Sequence, residues 1–484
     1  MSLLFGGSML GLRSLATGLP AKFLLDPKKA LAYMATNACS IPSGAQYVIF
    51  ATSGNGDPMS CNAPGCYDDP TSGVDFTNVA HPPNFAPATA GVTSLTLNGK
   101  PYTAAAPWSM LTSIPNNVGS VLGRTCFAHV MTNTPVHPKE PQVLQLMGTT
   151  LNAEMFPSVL AAQLAPCLNT LQVQPISVGA ATPSEALTFQ GQALPTIPPA
   201  SLNATLANPT GELSDLQPLR DSTLNSLYTL YKTGTPAQQQ YVDSVVTSQQ
   251  QVRGILPMQL MALQSITAND VGSQINAAIA LIQMGVSPVI AIHIPFGGDN
   301  HSDAGLTTEA TQTIGTADGA STNVTGVAAI AYLLGQLGAA GLSDKVSFIS
   351  LNVFGRTMLN RSGGGTVLDN SGGRQHNQCH QMSMMIGKPF NGCVIGGIGP
   401  VDTNCNPTTE SAAFDYGAMP INPKTGVGDP TGMAGDIIQC TPSGTPTALA
   451  SWAQTVMTGL GVPASVINTE ITAGTVIQPA LASS

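Results

Sequence analysis

The alternation of apolar runs with helical stretches between residues 271 and 352 constrains the fold of this chain more than any other feature. Val271 to Met284 has the apolar spacing of an amphipathic helix, and Ser287 to Pro295 (SPVIAIHIP) is a short, continuous apolar run. Val324 to Gly338 is again helical, and Lys345 to Asn352 is a second apolar run. Strands that are apolar on both faces and separated by helices imply a mostly parallel sheet with helices packed on it. Tyr47 to Thr52 (YVIFAT) adds an early strand, LQVQPISVG from residue 171 another, and helices are expected at 150–165 and 446–460. This predicts one α/β domain over 46–484, preceded by a helical segment over 1–45. Within it, residues 58–120, rich in Pro, Gly, Asn and Asp, read as a loop-rich insertion over the surface. Leu, Tyr, Val and Met recur among Gln, Ser and Thr over 210–268, which reads as a helical insertion covering a sheet face.

Charge narrows the partners. Only 8% of the 484 residues are charged, against roughly 25% in ordinary soluble proteins, and the net charge is -9. No Lys/Arg run could neutralise successive phosphates, so nucleic acid is not an expected partner. A polar surface that is scarcely ionic suits a periplasmic or extracellular protein, or one that self-assembles into homo-oligomers, with the cytoplasm as the alternative. The first 25 residues are apolar but interrupted by Gly, Ser, Arg and Pro, too soon for a membrane span, and they lack the charged start of an export signal. Nine cysteines leave one over if the others pair; Cys61 and Cys66 enclose a short loop that either closes as a disulfide or holds buried thiols.

In open parallel sheets ligands bind beyond the carboxyl ends of the strands. Asp57 follows the first strand in SGNGDP, Asp299 and His301 follow SPVIAIHIP in FGGDNHSD, and His376 lies in GGRQHN after the next strand. Two carboxylates and two imidazoles delivered to one edge form a donor set for a divalent metal such as Zn, Ca, Mg or Mn; the alternative is that each caps a turn. Arg356 in FGRT offers a planar fork suited to a phosphate, sulfate or carboxylate, or to a structural ion pair. HNQCH offers a second grouping, because His376, Cys379 and His380 would share a face if that segment were helical. No sequence signature singles out a nucleophile among Ser53, Thr134 and Thr357.

Several strings, in order, carry a resemblance: LRSLATGLPAKFLLDP, SGNGDPMSCNAP, MFPSVLAAQL, FGGDNH, DKVSFISLNVFGRT, GGRQHN with GCVIGGI, and DYGAMPINPKTGVGD. Through most of its length the chain resembles the bacterial domain-of-unknown-function family 1501, whose members are similar to alkaline phosphatases and sulfatases. The resemblance implies a doubly wound α/β sheet of alkaline-phosphatase/sulfatase type with long loop insertions, and metal-dependent hydrolysis of small anionic phosphate or sulfate esters. It maps Asp57 to the first-strand acid, Asp299 and His301 to an Asp-Thr-His turn, Arg356 and Thr357 to an Arg-Thr pair, and His376 to an Asp-His pair. The chain departs from that pattern at Asn352 and Val353, where the family has Ser-Glu, and at Gln375. An expected Ser-His segment has only TPVHPKE, around His137, as its nearest counterpart. Loss of a carboxylate at Val353 removes an oxygen ligand, so the alternative expectation is a non-catalytic structural or binding protein of a cell-envelope or extracellular assembly.

Overall fold

The computed structural model describes residues 41, 44–56, 62–66, 92–114, 120–170, 172–179, 186–206, 266–296, 299, 301, 326–357, 375–409, 414–429 and 447–482, with isolated positions at 39, 68–69, 74–75 and 438. Its centre is a seven-stranded sheet. In chain order the strands are β1 (Tyr47–Ser53), β2 (Thr125–Val130), β3 (Ile176–Ser177), β4 (Val289–His293), β5 (Val346–Asn352), β6 (Gln381–Ile386) and β7 (Cys393–Ile395). Their spatial order is β7-β2-β6-β5-β1-β4-β3. β1 pairs in parallel with β4 and β5, β4 with β3, and β2 with β7; only β6 runs against its neighbours, β5 and β2.

Alternation along the strands explains why the sheet is buried on both faces. Ile49, Ala51, Ile290, Ile292, Val346 and Phe348 enter one apolar cluster, while Val48, Phe50, Val289, Ala291, Ile349 and Leu351 enter the other. Helices α2 (Val271–Gln283) and α3 (Gly326–Ala339) complete the first cluster; α1 (Phe156–Leu168) and α4 (Thr447–Gly459) complete the second. Helices therefore lie on both faces, as the alternating pattern implies. α2 opens on Asp270, whose carboxylate accepts from the Ser273 N–H at 2.8 Å, satisfying a donor left over by the first helical turn.

The expected strands and helices of the second half lie within two residues of their predicted ends. The expected strand from 171 shrinks to Ile176–Ser177, and the helix expected at 150–165 starts at Phe156. β2, β6 and β7 were not expected. TCFAHV and QMSMMI carry Thr, His, Gln, Ser and Met in place of β-branched runs, and the sheet buries them nonetheless.

Part of the supposed surface insertion is core. Val92–Leu97 and Lys100–Ala105 form a hairpin followed by a 3-10 turn, Ala106–Thr112, and Leu95, Tyr102 and Trp108 are buried in the first cluster. Trp108 packs edge-on to Phe127 of β2, with ring centroids 5.4 Å apart. The helical insertion up to residue 265, and residues 1–38, lie outside the described residues.

Among the described residues two disulfides form, Cys39–Cys167 and Cys379–Cys405. Such bonds characterise proteins of oxidising compartments. Cys61, half of the expected short pair, lies outside the described residues. No described helix is long and apolar enough to cross a membrane.

Candidate metal centre

The carboxyl edge of the sheet gathers the polar side chains. Thr52 pairs with His293 and Ser53 with Asn352, so β1, β4 and β5 end in register and release their loops side by side. At the end of β4, the His293 N–H donates to Gln274 Oε1 of α2 at 2.8 Å, and Asp299 and His301 follow this strand in the sequence. After β5, Gly355–Arg356 pairs antiparallel with His376–Asn377, and Arg356 stands directly opposite His376. From β2 the chain continues through Pro135 to His137.

These loops bring together Asp299, His301, His376 and Arg356 from the expected set, and add His137. Nε2 of His137 lies 3.3 Å from Asp299 Oδ2; Nε2 of His301 and of His376 lie 3.0 and 3.4 Å from Asp299 Oδ1, and 3.0 Å from each other. His137, Asp299 and His376 each bring a ligand-type atom within 4.8 Å of the others. Asp57 lies outside the described residues. TPVHPKE, only the nearest counterpart of the Ser-His segment that the resemblance implies, thus contributes the one histidine that sequence reasoning left out of the site.

The outer nitrogens fix the tautomers. His137 Nδ1 is 2.6 Å from the Gly54 carbonyl, and His376 Nδ1 is 2.6 Å from that of Pro135. A ring nitrogen facing a carbonyl at that distance carries the proton, so in the neutral rings both Nε2 atoms are bare and both point at a carboxylate. Lone pairs facing a carboxylate repel unless a proton or a cation lies between them. Histidine anchored through one nitrogen to a backbone carbonyl, with the other left bare, is the usual arrangement of a metal ligand. The residues present therefore fit a divalent ion.

Arg356 is fully buried. Its Nε donates to Gly56 O at 2.6 Å, and Nη2 donates to Asn55 O at 2.9 Å and to Asp299 Oδ1 at 2.5 Å. The guanidinium clamps the loop after β1 and the carboxylate together. Burial opposes ionisation of Asp299, but the Arg356 hydrogen bond and charge, helped by His137 and His301, outweigh it and hold the carboxyl at about 2. For His376, burial together with the charges of Arg356 and His137 keeps the ring below its ordinary value, despite the Pro135 and Asp299 hydrogen bonds. The ring of Phe354 stacks on His376 at 4.4 Å and lies 4.9 Å from His137. Gly56 sits against it at φ 66°, where any Cβ would overlap that ring.

The HNQCH grouping does not form. The segment is an extended turn, Cys379 is committed to Cys405, and His380 packs against His129 of β2, so the helical face that would unite His376, Cys379 and His380 is absent. Ser53 and Thr134 are buried with their hydroxyls accepting from Asn55 N and Val136 N, and the Thr357 hydroxyl accepts from Gln375 N. Val353 is fully buried in the second apolar cluster. No protein-family model matches this sequence, and a comparison with curated proteins finds no match either.

Proposed function

We propose that this chain is an alkaline-phosphatase/sulfatase-like protein of the periplasm or exterior, whose His137, Asp299, His301 and His376 hold a divalent ion and receive a small phosphate or sulfate ester. The observation that carries the reading is the pair of bare Nε2 atoms, on His137 and His376, aimed at the Asp299 carboxylate. A donor set dominated by imidazole suits zinc better than calcium or magnesium. When bound, the ion polarises an ester oxygen and lowers the pKa of an attacking water.

The protein's own groups do the rest. Arg356 acts as a positioning residue, holding Asp299 ionised and fixing the Asn55–Gly56 backbone, in place of the direct anion contact its fork first suggests. The carboxylates of Asp299 and Asp57 against the Arg356 cation and a divalent ion leave the site net positive, which favours an anionic substrate. Asp57, following β1, is a further donor in this reading. The test is metal content of protein purified without chelator, followed by turnover of aryl phosphate and aryl sulfate before and after chelation. About one equivalent of zinc and chelator-sensitive hydrolysis support the reading; no bound metal in the wild type overturns it.

A second reading, an anion-binding or structural protein of an envelope or extracellular assembly, is favoured by the engaged hydroxyls of Ser53, Thr134 and Thr357 and by the buried Val353. Metal-dependent phosphate binding without turnover is its expected signature.

A further inference from the structure

A second cluster of metal-ligating side chains lies under the sheet edge, on the face that carries Trp108. Cys66, His129 and His380 are all buried, and one ring nitrogen of each histidine and the Cys66 Sγ lie within 4.8 Å of one another. The three come from separate places: the loop 62–66, β2, and the residue entering β6. The two imidazoles stack with centroids 5.1 Å apart and planes 11° off parallel, and His129 Nδ1 lies 2.8 Å from His380 Nε2.

The surroundings of this cluster are built. His129 Nε2 lies 2.8 Å from the Pro64 carbonyl, which repeats the anchoring of His137 and His376 and leaves Nδ1 bare. The loop that presents Cys66 is pinned by Asn62, whose Oδ1 accepts from Trp108 Nε1 at 3.0 Å, and by a turn from Cys66 N to Ala63 O. Gly65 has φ 95° and lies so close to His129 that a Cβ there would overlap the ring. His380 Nδ1 is buried with no hydrogen-bond partner among the described residues.

We infer that Cys66, His129 and His380 form a second, buried metal site, separate from the Asp299 centre, for a soft thiophilic ion, and specifically for monovalent copper. Thiolate and imidazole are the donors that select copper and zinc over harder ions. Charge then decides between those two. A single thiolate neutralises a single positive charge, so a monovalent ion sits in the apolar interior with no net charge, whereas a divalent ion with only these ligands leaves one uncompensated charge there. Three donors also match the low coordination number of monovalent copper.

The experiment titrates the full-length protein anaerobically with copper(I) against a copper(I)-specific chelator, and separately with zinc, and reads bound metal by mass spectrometry. The expected result is about one equivalent of copper(I) in the wild type and in Asp299→Ala, lost in Cys66→Ser and in His380→Gln. Gly65→Ala, which displaces the loop without removing a ligand, is expected to weaken copper binding about 10–100-fold. Copper K-edge absorption of the wild type, which needs no variant to fold, is expected to show one sulfur and two nitrogen neighbours. Preference for zinc, undiminished copper in Cys66→Ser, absence of a sulfur neighbour, or a peptide map that finds Cys66 in a disulfide each overturns the proposal.

Discussion

Nη2 of Arg356 lies 2.5 Å from Oδ1 of Asp299, and the two could hardly differ more in setting: the guanidinium is wholly buried while the carboxylate side chain is 44% exposed. The cation is part of the core and the anion is part of the site, so the pair fastens one to the other.

Replacing Arg356 with Met is expected to destabilise the fold by roughly 1.5–3 kcal/mol, mainly through the unmet carbonyls of Asn55 and Gly56, since the exposed side of the Asp299 contact is screened by water. Urea unfolding checks the energy. Carboxyl titration by NMR checks the local effect, with the Asp299 pKa rising from about 2 toward the ordinary carboxylate range.

The depressed Asp299 value sets the sign of an acid effect. A carboxyl held at about 2 in the fold and at roughly 3.9 in the unfolded chain contributes stability above the unfolded value, lost as pH falls from about 4 toward 2. In Asp299→Asn that segment of the stability curve flattens, and thermal midpoints measured from pH 5 to pH 2 decide the matter.

His376 and His380 act in a different window. Both are lowered in the fold, by burial first of all, so below about pH 6.5 the unfolded chain takes up protons that the folded chain refuses. Stability is therefore untouched above that pH and falls below it, by up to about 1.4 kcal/mol per pH unit for one fully suppressed imidazole. Urea midpoints between pH 8 and pH 5, compared with His380→Gln, should show a shallower slope in the variant.

Gly56→Ala forces a side chain into a left-handed backbone position and onto the Phe354 ring. The expected cost is at least about 1–2 kcal/mol, together with weaker metal binding at the Asp299 centre, because Phe354 packs on His376 and His137. Calorimetry and metal titration of the same variant test both halves.

Cys379–Cys405 closes a loop with a sequence separation of 26 and Cys39–Cys167 one of 128. Loop-closure entropy gives about 3.5 kcal/mol for the shorter and about 5 kcal/mol for the longer. Reduction under non-denaturing conditions should lower the unfolding midpoint accordingly, and Cys379→Ser should reproduce the smaller share.

The strands at β1, β4 and β5 were legible because Val, Ile and Phe carry their own signal, and Asp299, His301 and His376 were legible because they follow such strands. β2 and β6 were not, since Cys126, His129, Gln381 and a run of methionines have no period or propensity that separates them from a loop; long-range pairing makes them strands. His137 was missed for the same reason: only the position of β2 beside β6 brings its loop to the edge where Asp299 waits. Arg356 was placed at the site from sequence, but its complete burial depends on carbonyls of Asn55 and Gly56, about 300 residues away, which no local pattern announces.

The reversal of β6 has a mechanical side. A strand that ran with the others would meet the ligand-bearing edge once, on leaving the sheet; β6 meets it on entering, at the end of a turn that carries His376 on one arm and His380 on the other, with the Cys379–Cys405 bond between them. The Cys379–Cys405 bond therefore ties the segment between the two histidines to the loop at Cys405, so that His376 and His380 are both held from one covalently anchored turn.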